Sequence, residues 1–259
     1  MTDKSKIRIL NGTLGLTALV LGVSLLMLWQ RGDSESFYLA MADTRSAPPS
    51  VQGTPVSDPA AGQLQVAYTY QENRSTEWLA INPHYMGWVR IPGTKVDYPF
   101  VRSQDNQDYL YRDIRNRPSD AGTIFMDYRN LGNFNDRHSI LYGHNMKGGA
   151  MFHNLRFYKD KRFLEAHPVI ELSGLYETRR YRIFSVYEVS ADDYALPVDF
   201  SDQAFAAYLT TLQEKSLHGG SEPLNPQARL LTLTTCSYGV DNGRFIVHGL
   251  ELPPEPETL

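Results

Sequence analysis

RLLTLTTCSYGVDNGRFIVHGLEL, residues 229–252, consists of two β-prone runs separated by a turn. Residues 229–235 and 244–252 are rich in Leu, Thr, Ile, Val and Phe, and Asp241-Asn242-Gly243 between them is a strong turn signal. A hairpin of this kind sets Arg244 beside Cys236. Similar short runs recur upstream at 87–91 and 96–101, on either side of the breaker Pro92-Gly93, and at 122–126, 139–142, 169–172 and 181–189. Helical patterning is sparser. Residues 151–164 read as one helix, and Phe205, Tyr208, Leu209 and Leu212 fall at i, i+3, i+4 and i+7 behind a capping Ser201, with Gly219 as a stop. Eight short strands with mixed connections predict a mainly β body, a closed or nearly closed barrel with peripheral helices.

The chain has 259 residues, 42% of them hydrophobic and 21% charged, with 16 Tyr and 11 Phe. Those proportions support a packed core and exclude a disordered tail. Lys4, Lys6, Arg8 and Arg31 against Asp3 give +3 over residues 1–31, so the −4 of the whole chain leaves −7 for the remainder. An acidic body of this kind argues against nucleic acid as a partner. The single Cys excludes a disulfide framework and any multi-cysteine metal site. Scattered acidic residues such as Asp192, Asp193 and Glu222 read as a solvated face, so neither a metal nor another cofactor is expected.

No charged residue interrupts residues 9–30, a run long enough to cross a bilayer core as a helix. Lys4, Lys6 and Arg8 precede it, and Arg31 is soon countered by Asp33 and Glu35. The positive-inside bias therefore predicts a cytoplasmic segment 1–8, a single transmembrane helix 9–30 and an extracytoplasmic remainder. A cleaved signal peptide is the rival reading, but its best small-x-small site, Ala40-Met41-Ala42, lies more than ten residues past Trp29. Residues 31–63 carry Pro48, Pro49, Pro55 and Pro59 among small polar residues and read as a linker. Residues 64–252 are then the folded domain, and 253–259 a polar tail.

Cys236 closes its strand-like run, where a thiol is well placed for attack. A lone Cys is more often a small buried apolar residue, but a free thiol outside the cytoplasm is an oxidation hazard unless it works. A nucleophilic thiol needs an imidazole or a cation to ionise it and to protonate the leaving amine. Among seven histidines, His144 in Tyr142-Gly143-His144-Asn145-Met146 sits where a strand breaks at glycine. His248, which shares strand parity with Arg244, is its main competitor. Arg244 offers a permanently charged donor fork for an oxyanion; a surface arginine paired with Asp241 remains the alternative.

Thr232-Leu233-Thr234-Thr235-Cys236, the strand-end His144 and the last-strand Arg244 together resemble the sortase signature. The resemblance covers about residues 75–252, through Gly87-Trp88-Val89-Arg90-Ile91-Pro92-Gly93-Thr94, Tyr98-Pro99, Gly122-Thr123-Ile124-Phe125-Met126-Asp127 and Gly149-Ala150-Met151-Phe152. The helix near 202–215 is similar to the insertion of class B sortases. Asn82-Pro83-His84 departs from the family pattern, which often carries an acidic residue there.

The resemblance implies an eight-stranded sortase barrel and a membrane-anchored cysteine transpeptidase. Cys236 would attack after the Thr of an LPXTG-like or NPQTN-like signal on a surface protein, with His144 as general acid and base and Arg244 steadying substrate and oxyanion. Thr234, Thr235 and Asn145 would line the substrate site, with no cofactor. An amine would resolve the acyl-thioester, from a peptidoglycan precursor such as lipid II in wall anchoring or from a pilin lysine in pilus assembly. A tethered cysteine protease would hydrolyse the same intermediate, and a silent binding module would use none of the three residues.

Overall fold

The computed structural model describes residues 3–46, 75–132, 134–175, 177–237, 239 and 242–253, and the eight β-prone runs are its eight strands. They are β1 (Tyr85–Arg90), β2 (Asp97–Val101), β3 (Ile124–Met126), β4 (His138–Tyr142), β5 (Val169–Ser173), β6 (Thr178–Ser190), β7 (Leu230–Ser237) and β8 (Gly243–Glu251). They close into a barrel in the order β1-β2-β3-β4-β7-β8-β6-β5. The β2–β3 and β4–β7 pairs are parallel, and the β7–β8 pair is antiparallel, as the turn at Asn242-Gly243 dictates.

Side chains alternate across β7 and β8 with period two, and both faces are used. Leu231 and Leu233 of β7, with Phe245 and Val247 of β8, point into the barrel core among Trp88, Phe100 and Phe152. Leu230 and Ile246 point outward and are covered by Phe205, Leu209 and Leu212 of a surface helix. That helix, Asp202–Lys215, starts where Ser201 Oγ accepts from the Ala204 amide, has Asp202 in its first turn and ends on Lys215, so cap and charges agree with its dipole. It roofs one end of the outer face of β7 and β8 and leaves the Cys236 end outside the roof.

The structure bears on three expectations. Among the described residues no helix is long and apolar enough to cross a membrane, and residues 9–16, 18, 27 and 30 of the span expected over 9–30 lie outside those whose side chains are described. Secondly, helix α1 (Asp3–Ser46) continues past residue 30 instead of giving way to an extended linker. Ser34, Tyr38 and Met41 lie at i, i+4 and i+7 and bury one stripe against the barrel. Tyr38 donates to the Gly122 carbonyl at 3.1 Å and accepts from the Ile114 amide at 3.1 Å, while Asp33 pairs with Arg115 and Arg117. Thirdly, residues 151–164 are not one helix. A 3-10 helix (Phe152–Lys159) stops at Asp160, whose carboxylate accepts from the Arg162 amide and starts a separate helix, Lys161–Ala166. The remaining linker residues 47–63, residues 64–74 and the tail 254–259 lie outside the described residues.

Candidate active site

Backbone pairing joins two of the three residues and carries the third toward them. Cys236 on β7 lies directly opposite Arg244 on β8. On the other side of β7, the parallel partner β4 pairs Tyr142 with Thr234, and the Gly143 amide donates to the Thr234 carbonyl at 3.2 Å. His144, two residues past Tyr142, is thereby brought level with Cys236, two past Thr234. Gly143 is required by close approach: a Cβ there would stand 2.4 Å from Ile124 Cδ1 and 2.8 Å from the Phe152 ring.

Each group is then held by its neighbours. His144 Nε2 is 2.7 Å from the Leu110 carbonyl, which accepts only, so the proton sits on Nε2 and Nδ1 is left to exchange one. The Tyr111 ring lies against the imidazole at a centroid distance of 5.7 Å. Asn145 Nδ2 donates to the Cys236 carbonyl at 2.9 Å, and its Oδ1 accepts from His153 Nδ1 at 2.9 Å, so this buried amide locks the strand end that carries the nucleophile. Arg244 Nη1 donates to the Gly243 carbonyl at 3.0 Å, which bends the guanidinium back over the turn while the side chain stays half-exposed. Asp241, its alternative partner, is outside the described residues.

Thr234 shares the outer face with Cys236, and its hydroxyl accepts from Tyr194 at 3.1 Å. Thr235 has the opposite parity. It faces the barrel interior with Leu233 and Phe245, is 3% exposed, and its hydroxyl has no hydrogen-bond partner among the described residues. Asn145 is buried and committed to Cys236 and His153. His248, the competing imidazole, is fully buried and bonded to Thr232 and Tyr187, so it cannot reach a thiol at the open end of the face.

A second polar network borders the site and was not read from the sequence. Asp127, fully buried at the end of β3, accepts from Arg129 Nη2 and Tyr142 Oη, both at 2.8 Å, and from Asn106 Nδ2 at 3.2 Å. Burial opposes its charge, but the hydrogen bonds from Arg129 and Tyr142 prevail and hold the carboxyl down at about 2. Burial pushes the Tyr142 and Tyr194 phenols up, so both remain donors at neutral pH. The only sequence signal was indirect: Tyr142 ends one strand-like run and Asp127 directly follows another. On the far side of Asn145 a cavity of about 570 Å³ opens between Phe157, Phe163 and Phe245, with Arg156 and Lys159 on its walls. Among the described residues no group of three or more His, Cys, Asp or Glu is placed to hold a metal ion.

A family model described as the sortase domain matches residues 89–251. Sortase B of Listeria monocytogenes is 38% identical over 172 residues, covering 65% of this chain and 70% of the relative. A crystal structure from Bacillus anthracis, described as similar to sortase B, superposes with a TM-score of 0.65 at 35% identity, covering 70% of this chain and 83% of the other. A Staphylococcus aureus sortase B–substrate complex gives 0.64 at 31% identity, covering 68% of this chain and 83% of that one.

Proposed function

Because the chain belongs to the sortase family, as a cysteine transpeptidase of the class B type, we propose that Cys236, His144 and Arg244 carry its reaction on a peptide sorting signal of a surface protein. The observation that supports this assignment is the register: Arg244 directly opposite Cys236, with His144 just past the last β4–β7 pair, between Gly143, which donates to the Thr234 carbonyl, and Asn145, which donates to the Cys236 carbonyl. The proton of the Cys236 thiol passes to Nδ1 of His144, and the sulfur attacks the carbonyl that follows the Thr of an LPXTG-like or NPQTN-like signal. Negative charge builds on that oxygen, and the Arg244 fork supplies fixed, permanently charged donors for it. The C–N bond breaks as His144 Nδ1 returns its proton to the departing amine, leaving an acyl-thioester. An acceptor amine then attacks the thioester, His144 takes its proton, and the thiol is released with a new amide bond. Thr234, with Tyr142 and Tyr194 beside it, lines the peptide's approach on the outer face.

The acceptor in this reading is the amine of a peptidoglycan precursor, and the enzyme acts outside the cytoplasmic membrane with its N-terminus toward the cytoplasm. Support comes from the charge-free residues 9–30 behind Lys4, Lys6 and Arg8. The experiment incubates the chain with sorting pentapeptides and competing amines, glycyl peptides against lysyl peptides, and separates the products. Predominant glycyl-amide product supports wall anchoring. Lysyl product redirects the reading to pilin polymerisation, and hydrolysis unaffected by either amine overturns transpeptidation.

A further inference from the structure

Beneath the Asp202–Lys215 helix, behind Cys236 on the same face of the sheet, a line of buried polar groups takes no part in the chemistry above. His138 Nδ1 is 2.6 Å from the Pro197 carbonyl, and its Nε2 is 2.6 Å from Thr232 Oγ1. Thr232 Oγ1 is in turn 2.7 Å from His248 Nδ1, and His248 Nε2 is 3.1 Å from the Tyr187 hydroxyl. His138, Thr232 and His248 are wholly inaccessible.

Chemistry fixes the direction of every link. A carbonyl only accepts, so His138 carries its proton on Nδ1. Burial drives this imidazole to the neutral form, down to about 4, and His248 well below its ordinary value. His138 Nε2 is therefore a bare acceptor, and the one hydroxyl proton of Thr232 goes to it. The Thr232 oxygen is then an acceptor toward His248, which donates from Nδ1 and accepts at Nε2 from Tyr187. Each donor meets one acceptor, and reversing any link would set two donors or two acceptors face to face in a dry interior. The groups facing the chain are Asp127 and Arg129 beyond β3, Tyr208 and Lys215 of the roofing helix, and Tyr187 of β6.

Placement gives the chain its meaning. Thr232 lies four residues before Cys236 on β7, His248 four after Arg244 on β8, and His138 opens β4, six residues before His144, which lies just past that strand. Thr232 and His248 are register partners, as are Cys236 and Arg244. We propose that His138, Thr232 and His248 are positioning residues for the transfer reaction: a one-way hydrogen-bond chain ties together the three strands whose ends at the site carry His144, Cys236 and Arg244, and fixes their lateral spacing. A Val at position 232 would fill the same space without the tie, so the need for a hydroxyl separates positioning from packing. The inference rests on the proposed reaction for its functional half only.

Nitrogen-15 NMR of the imidazoles in the full chain tests the chain itself, whatever the reaction. Both His138 and His248 are expected as neutral Nδ1–H tautomers at pH 7, and an Nε2–H tautomer or an imidazolium at either position overturns the chain. Thr232→Val is expected to lower kcat about tenfold with KM within about twofold, since a displacement near 1 Å costs on the order of a hundredfold. Thr232→Ser, which restores the hydroxyl, is expected to recover kcat to within about twofold. Wild-type kcat in Thr232→Val, or no recovery in Thr232→Ser, refutes positioning. If Thr232→Val does not fold, Tyr187→Phe removes only the last donor, and the chain predicts a shifted His248 Nε2 resonance with a smaller loss of kcat; an unchanged resonance contradicts it.

Discussion

Lowering the pH from 7 to 5 should cost the fold about 2 kcal/mol through His138 alone. Desolvation lowers this ring to about 4, against the opposing pull of the Pro197 hydrogen bond and of Asp127. In the unfolded chain an imidazole titrates near 6.5. Between these values the native ring binds fewer protons than the unfolded one, so the contribution is full above about 6.5, falls as the pH drops and levels off below about 4. At about 1.4 kcal/mol per pH unit the limit is roughly 3.4 kcal/mol, and about 2 of it is gone by pH 5. His248 and His153 are lowered by burial as well and push in the same direction, whereas Asp127, held at about 2, stays charged throughout this window and adds nothing. Urea denaturation of wild type and His138→Gln at pH 7, 6 and 5 measures the term. The wild type should lose about 2 kcal/mol more than the variant between pH 7 and 5. Equal losses would refute the buried neutral imidazole on which the estimate stands.

Three further outcomes follow from the contacts. Asn145→Ala frees the Cys236 carbonyl and strands His153, so kcat should fall at least tenfold while stability drops by about 1–3 kcal/mol, read from steady-state rates and urea melts. Arg244→Lys replaces a fork with a point charge, and kcat should fall by about 10²–10³ with an unchanged melting temperature, because Arg244 is half-exposed and its hydrogen bonds among the described residues go to its own turn. Tyr38→Ala removes the helix α1 anchor from the Ile114–Thr123 loop, and hydrogen exchange of residues 109–123 should speed up about tenfold, as an opening cost lowered by about 1.4 kcal/mol requires.

The barrel was legible in the sequence because alternation and β-branched runs report directly on strands, and Asp241-Asn242-Gly243 forced β7 and β8 together. That pairing placed Arg244 against Cys236 before any coordinates. The parallel β4–β7 pairing, which carries the chain toward His144, is long-range and leaves no local trace; the strand break at Gly143 marked His144 as a candidate, and the motif resemblance set it above His248. Helix α1 was cut short at residue 30 because the stripe of Ser34, Tyr38 and Met41 is weakly apolar and its meaning lies in what it touches, the Gly122 carbonyl and the Ile114 amide. Thr235 was placed beside the substrate by adjacency to Cys236, whereas strand parity turns it inward. Asn82, where the family pattern often has an acid, is fully buried and donates to Tyr109 Oη at 2.9 Å and to the Ile114 carbonyl at 2.8 Å, so a neutral amide suits that position. Asp127, Tyr142 and Tyr194 come from three separate segments, and no spacing rule joins them.

The most direct test of the account is the mass of the Cys236 peptide after brief incubation with NPQTN-like and LPXTG-like pentapeptides, followed by an amine chase. The account predicts an acyl adduct on Cys236 ending at the signal's Thr, released faster by amine than by water, and absent from Cys236→Ala. Cleavage of the same peptides by Cys236→Ala, or an adduct on any other residue, would contradict it.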